Sequence, residues 1–210
     1  GEFKETRIKK ITGIYYSRKD IQKALFSFSS AREIAPSYMM ESFGKRPDSF
    51  QYPGDVFELA KKGATSFHCS EELWHDPLKI STGMSQKVIN DLRLGWDFLL
   101  DIDSKYLDYS KIMAELIIKV LKFHGIKNLG IKFSGSKGFH IIIPWKAFPP
   151  EINNVKTSDM FPEWPRIMTR YIIEAVKPEL IKKITHLAKK DMGSSKYVKD
   201  FQAPKEVVPD

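Results

Sequence analysis

An α+β fold is what this 210-residue sequence predicts, and three features in its middle predict it. Residues 95–102 (GWDFLLDI) are an aromatic and aliphatic run of strand length. Residues 109–123 place Ile112, Met113, Leu116, Ile117, Val120 and Leu121 at i, i+3 and i+4 spacing, the apolar stripe of a helix that closes at Gly125. Two short apolar runs, 129–133 and 139–144, then flank Ser134-Gly135-Ser136-Lys137-Gly138. A glycine-containing connection of that length reads as a hairpin with a bulged loop. Strand, helix, strand, strand gives a sheet with a helix on one face.

The flanks are read in chain order. Residues 17–30 open with Ser17 as an N-cap and carry Ile21, Leu25 and Phe28 at helical spacing. Residues 36–54, with Pro36, Gly44, Pro47, Pro53 and Gly54, read as a long irregular loop. A short helix over 55–62 stops at Gly63, and 64–74 is a strand running into a turn. Beyond the centre, 149–165 is a loop, 166–176 a helix interrupted by Pro178, and 179–190 a second helix. No linker rich in Pro, Gly or Ser divides the chain, so one domain over 1–210 is expected, with 1–94 an N-terminal elaboration and 95–210 the core.

Composition bounds the function. Lys and Arg number 34 against 26 Asp and Glu, a net charge of +8, which makes a polyanion the first partner to consider. Hydrophobic residues at 42 % and charged ones at 29 % describe an ordinary globular chain rather than a disordered one. Cys69 stands alone, which excludes an internal disulfide framework and a zinc site of several thiolates. No apolar run approaches the roughly 20 residues that span a bilayer. Nothing at the N-terminus reads as a signal peptide, and Gly1-Glu2-Phe3, with no Met before it, reads as an expression remnant. A cytoplasmic, nucleoid-associated protein with no membrane partner is expected.

The chemistry sits in two places. On an extended strand, Asp97, Leu99, Asp101 and Asp103 share one face and Phe98, Leu100 and Ile102 the other, which is the core face. Acids two residues apart put like charges about 7 Å apart, and a hard divalent cation relieves the repulsion. A strand end whose acids merely reach solvent has the same pattern. Asp97, further back, is a supporting residue at most. In the hairpin loop, Gly135 and Gly138 let the backbone approach an anion, Ser134 and Ser136 add hydroxyls, and Lys137 adds a point charge. His140 begins the next strand and faces Asp101 and Asp103 if the two strands are neighbours. A plain hairpin with a polar turn is the alternative, and no Walker-type loop is present.

Together, the run ending in Asp101-x-Asp103, the helix, and the strand–Ser134-Gly135-Ser136-Lys137-Gly138-Phe139-His140–strand resemble the first two motifs of the archaeo-eukaryotic primase superfamily. The wording SGSKGFHIIIPW looks closest to the polymerase domains of end-joining ligases, whereas Arg32-Glu33 after a helix resembles a feature of the primase small subunit. Residues 95–146 carry the resemblance well and 15–95 loosely. It implies a primase-type catalytic core, a mixed or antiparallel RRM-like β-sheet flanked by helices, with an N-terminal α/β elaboration. It also implies template-directed nucleotidyl transfer: Asp101 and Asp103 as catalytic metal ligands for two Mg²⁺ or Mn²⁺ ions, and Ser134, Gly135, Ser136, Lys137, Gly138 and His140 as the nucleotide-binding set. The partners implied are a DNA or RNA template and primer, nucleoside triphosphates, and a primase large subunit, helicase or ligase.

The family's third motif is a further strand carboxylate downstream of the histidine. Asp210 is the candidate, since Asp191 and Asp200 lack a strand-like context; the alternative is that the motif falls beyond residue 210. Cys69 with His68, His75 and His124 shows no ligand spacing, so no structural zinc is expected. Lys182, Lys183, Lys189, Lys190, Lys196, Lys199 and Lys205, with Lys4, Arg7, Lys9 and Lys10, form either a basic surface that tracks a phosphate backbone or solvated helix faces. Lys45 and Arg46 lie in a loop suited to reaching a template strand. Trp74, Trp145, Phe148 and Trp164 stack on bases or anchor loops into the core. Two other functions fit the same residues: an inactive nucleic-acid- or nucleotide-binding module of this fold, and a metal-dependent phosphodiesterase.

Overall fold

At Asp97 the chain leaves one sheet and enters another. The sequence predicts a single strand over 95–102, but there are two: β4 (Arg93–Trp96) pairs antiparallel with β3 (Glu72–Trp74), and β5 (Phe98–Ile102) pairs antiparallel with β7 (Gly138–Ile143). The Asp97 carboxylate is buried and accepts a hydrogen bond from the Trp145 backbone N–H at 2.9 Å, which fixes it outside both ladders. An apolar run buried at both ends carries no mark of such a break. This is a computed structural model and describes residues 2–39 and 42–190. Its chain divides between Trp96 and Asp97 into two compact units. Both mix helices with small antiparallel sheets, so the fold class is α+β.

The first unit holds α1 (Glu2–Tyr16), α2 (Lys19–Phe28), β1 (Ile34–Tyr38), α3 (Asp55–Lys61), β2 (Ala64–Cys69) and α4 (Gln86–Leu92), besides β3 and β4. Tyr16 packs edge-on against Phe67 with ring centroids 5.1 Å apart. The buried Gln22 amide donates to the Tyr16 carbonyl at 2.8 Å and closes the turn between α1 and α2. Ser17 does not cap α2 as expected. Its hydroxyl donates back to the Ile14 carbonyl at 2.8 Å, and Arg18 takes the N-cap position. Residues 36–38, expected in a loop, belong to β1, which pairs with β2 on one edge and meets the 42–48 segment on the other, where Ile34 and Tyr38 donate to the Asp48 and Ser42 carbonyls, each at 2.8 Å. Pro36, which has no N–H to offer, takes part in that second edge through its carbonyl, which accepts the Gly44 N–H at 2.9 Å. Past α3, Gly63 adopts φ +105°, the left-handed conformation that ends a helix.

The second unit runs β5, α5 (Leu107–Phe123), β6 (Gly130–Gly135), β7, a small hairpin of β8 (Glu151–Ile152) and β9 (Val155–Lys156), and α6 (Glu163–Lys190). Its sheet has the order β5-β7-β6 with both pairings antiparallel. Phe98, Leu100, Ile102, Ile141 and Ile143 are buried on one sheet face, and Ala114, Leu116, Ile117 and Leu121 are the buried side of α5. The expected pair of helices separated at Pro178 is a single helix with Pro178 inside it. Ile172, Val176 and Ile184 are buried at spacings of four and eight, so one apolar face continues past the proline, and α6 packs on α5. That burial outweighs the local penalty of about 3 kcal/mol for an interior proline. Among the described residues, no helix is long and apolar enough to cross a membrane.

Candidate active site

Exposure alternates along β5 as the pleat requires: Phe98, Leu100 and Ile102 are buried, while Asp101 is open to solvent. Asp103, just past the strand end, is exposed on the same side. The β5–β7 register sets Asp101 directly opposite His140, with Asp101 Oδ1 3.3 Å from His140 Nε2. The Asp101 side chain is 62 % exposed and that of His140 25 %, so solutes can reach both on the solvent face. Asp103 is held from behind: its Oδ1 accepts the Ser104 backbone N–H at 2.9 Å. The Ser104 hydroxyl is itself 2.6 Å from the Tyr106 carbonyl and 2.8 Å from the hydroxyl of fully buried Ser110. The loop leaving the strand is thereby tied to the start of α5.

The glycine loop folds as the expected bulged hairpin. Gly135 pairs with Gly138 around a two-residue turn, with Gly135 at φ +109° and Ser136 at φ +52°. The register then shifts between Phe133 and Gly135, leaving Ser134 unpaired in the bulge. Gly138 is buried, and a Cβ there would lie 2.6 Å from Ser134 Oγ, 2.9 Å from the Ile102 carbonyl and 3.6 Å from Asp103 Oδ1. Ser134 Oγ and Asp103 Oδ1 therefore both lie beside the spot where a side chain at 138 would stand. Ser136 and Lys137 are exposed at the turn. Asp101, Asp103, Ser134, Gly138 and His140 thus come together at one end of one sheet face.

The bulge has a second result. With a regular ladder, Phe133 would stand opposite His140; the shift puts Lys132 there instead. Lys132, His140 and Asp101 form a row across β6, β7 and β5 on the solvent face. The sequence reading does not include Lys132, because the row depends on where the bulge falls.

Two exposed carboxylates supply hard oxygen donors of the kind that Mg²⁺ or Mn²⁺ prefers. Among the described residues, no three His, Cys, Asp or Glu side chains are grouped to hold a metal ion. Asp210, expected as the third carboxylate, lies outside the described residues, as do Asp191, Asp200, Lys196, Lys199 and Lys205.

The remaining candidates lie elsewhere in the two units. Asp97 is the buried anchor of the segment after β7. In the first unit, Lys45 is exposed, whereas the Arg46 guanidinium forks onto the nearly buried Glu33 carboxylate, with Nη2 3.0 Å from Oε2 and Nε bonded to Oε1. That hydrogen bond holds the guanidinium above its ordinary pKa. Arg32 is buried, donates to the Phe28 and Ser70 carbonyls at 2.9 and 3.0 Å, and lies over the Phe28 ring. Arg32 and Glu33 brace the first unit. Trp74 is 4 % exposed and belongs to that unit's core, while Trp145 stacks on Phe148 at 6.2 Å. Lys182, Lys183, His186 and Lys190 of α6 line an open groove with Ile112, Glu179 and Leu187.

No protein-family model matches this chain. A stretch of 60 residues is 47 % identical to a protein of Methanocaldococcus jannaschii named uncharacterized protein MJECS07. The match covers 28 % of this chain and 14 % of that protein, whose name assigns it no activity.

Proposed function

We propose that the chain is a primase-type catalytic core that adds nucleotides from nucleoside triphosphates to a template-bound strand, using Mg²⁺ or Mn²⁺. One observation carries the reading: the acid doublet and the glycine hairpin share a face, with Asp101 Oδ1 3.3 Å from His140 Nε2 and Asp103 Oδ1 beside Gly138. The resemblance of both segments to the first two primase motifs supports it further. Asp101 and Asp103 would hold the cations, and their donor chemistry fits that task; Asp210 would supply the third carboxylate. A divalent ion, when bound, neutralises phosphate charge and stabilises the attacking and leaving oxygens of an in-line displacement.

The chain's own groups do the rest. Gly138, lacking a side chain, lets the hairpin close against the end of β5, so that the Ser134 hydroxyl and Asp103 stand close together. His140, 3.3 Å from Asp101 Oδ1 on the solvent face, would donate to a phosphate oxygen bound beside the cation. Lys137 brings positive charge to the turn, where a loop can follow the tail as it moves. The groove of lysines on α6 suits a polynucleotide backbone.

Incubation of the full chain with a primed template, labelled nucleoside triphosphates and Mn²⁺ tests the proposal. Primer extension or dinucleotide synthesis is the expected result. Nucleotide-independent degradation of the template, or binding with no transfer, would overturn it in favour of a phosphodiesterase or an inactive module.

A further inference from the structure

We propose that Lys132 binds the triphosphate tail of the incoming nucleotide, an inference that rests on the nucleotidyl-transfer reading above. The register carries it. Lys132 is the residue directly opposite His140, and His140 is directly opposite Asp101, so the three side chains leave the sheet on one face. Directly opposed residues of an antiparallel pair have Cβ atoms about 5 Å apart. A lysine stem is long enough to carry its ammonium across that gap to any anion held over His140. Lys132 is exposed, and among the described residues it makes no ion pair or hydrogen bond, so its charge is available.

The bulge at Ser134 strengthens the argument. It disrupts a ladder that would otherwise run straight to the turn, and its effect is to exchange the neighbour of His140 from an aromatic ring to a cation. Phe133 goes instead to the opposite face, edge-on to Phe139 at 5.6 Å. The same shift brings Ser134 Oγ beside Gly138. One backbone irregularity therefore delivers a hydroxyl and an ammonium to the same face as the two carboxylates. β6 pairs with β7 alone in its sheet, so nothing in the ladder beyond it restrains Lys132. A triphosphate carries more negative charge than the turn's Lys137 offsets, and a flexible point charge at the row's outer end suits its remaining oxygens.

Calorimetric titration of the full chain with Mn²⁺ and inorganic tripolyphosphate tests this, with Lys132→Met, Lys132→Arg and Asp101→Ala alongside the natural chain. Tripolyphosphate reports tail binding without base or sugar. Lys132→Met should weaken binding about tenfold or more, the usual effect of losing a charged hydrogen bond. Lys132→Arg should restore it to within about threefold. In the extension assay, Lys132→Met should raise the nucleotide KM with little change in kcat. Since the residue is exposed on an edge strand, thermal unfolding of Lys132→Met should match that of the natural chain. Unchanged affinity in Lys132→Met, with binding lost in Asp101→Ala, would overturn the role of Lys132 and leave the nucleotidyl-transfer reading standing. Absence of tripolyphosphate binding by the natural chain would overturn both.

Discussion

Asp101 Oδ1 and His140 Nε2 lie 3.3 Å apart across the β5–β7 ladder, at directly opposed positions on the solvent face of the sheet. A carboxylate and an imidazole so placed orient each other on the solvent face of the sheet. The two residues nevertheless have separate tasks in the proposed reaction, and substitution should separate them. Asp101→Ala removes an oxygen donor to the cation and should lower nucleotide incorporation by at least about 100-fold. His140→Ala removes a donor to phosphate and should raise the nucleotide KM about tenfold while kcat changes less. Steady-state incorporation kinetics of the two variants check the division. Equal effects on KM and kcat in both would contradict it.

Gly138 is required for steric reasons rather than for conformational freedom. A methyl group there meets Ser134 Oγ at 2.6 Å and the Ile102 carbonyl at 2.9 Å, and the carbonyl belongs to a ladder that cannot retreat freely. Gly138→Ala should therefore destabilise the chain by about 1–3 kcal/mol. It should also weaken Mn²⁺–nucleotide binding, since the methyl group fills the space beside Asp103. Urea unfolding and nucleotide titration measure the two effects.

Much of the second unit was legible in the sequence because its signals are local. The period-2 alternation from Phe98 to Ile102 fixes which acids face outward, and the stripe from Ile112 to Leu121 fixes the buried side of α5. The glycine hairpin between two apolar runs is equally plain. What escaped depends on the partner strand or on tertiary packing. The bulge at Ser134 decides whether Phe133 or Lys132 meets His140, and no residue type announces its position. The break at Asp97 is hidden because residues on both sides of it are buried. β1 carries a proline in its middle, and α1 buries only Thr12 and Tyr16, so neither shows a strong period. The pairing of Arg46 with Glu33, thirteen residues back in sequence, is likewise set by tertiary packing and leaves no mark in the sequence.

α6 offers a test of packing against propensity. Pro178 sits inside a helix whose apolar face runs from Ile172 to Ile184 without interruption. Pro178→Ala should restore a backbone donor and relieve the ring's clash with the preceding turn, stabilising the chain by about 1–3 kcal/mol. Thermal unfolding followed by circular dichroism checks it. A fall in Tm would mean that the proline is needed for a bend that the α5–α6 packing uses.

Glu72 predicts a pH dependence with a definite sign. Burial raises its carboxyl above the ordinary 4.5, and the Arg93 guanidinium 2.7 Å away offsets this only in part. The folded chain thus holds this proton more tightly than the unfolded one does. Its contribution to stability is fully present below pH 4.5 and is lost as pH rises through the folded value. Glu72→Gln removes that titration. The stability of the natural chain relative to Glu72→Gln should therefore decline as pH is raised from about 4 through the weakly acidic range, as followed by urea midpoints across that window. A rising difference would contradict the account of this site.

Electron paramagnetic resonance of Mn²⁺ tests the central claim most directly, because it reads cation capture at the sheet face without requiring turnover. Titrating the full chain into Mn²⁺ and a nucleoside triphosphate should remove the free-ion signal beyond what the nucleotide alone removes, and Asp101→Asn combined with Asp103→Asn should abolish that extra loss. Identical titrations for the natural chain and the double variant would contradict the assignment of these two carboxylates.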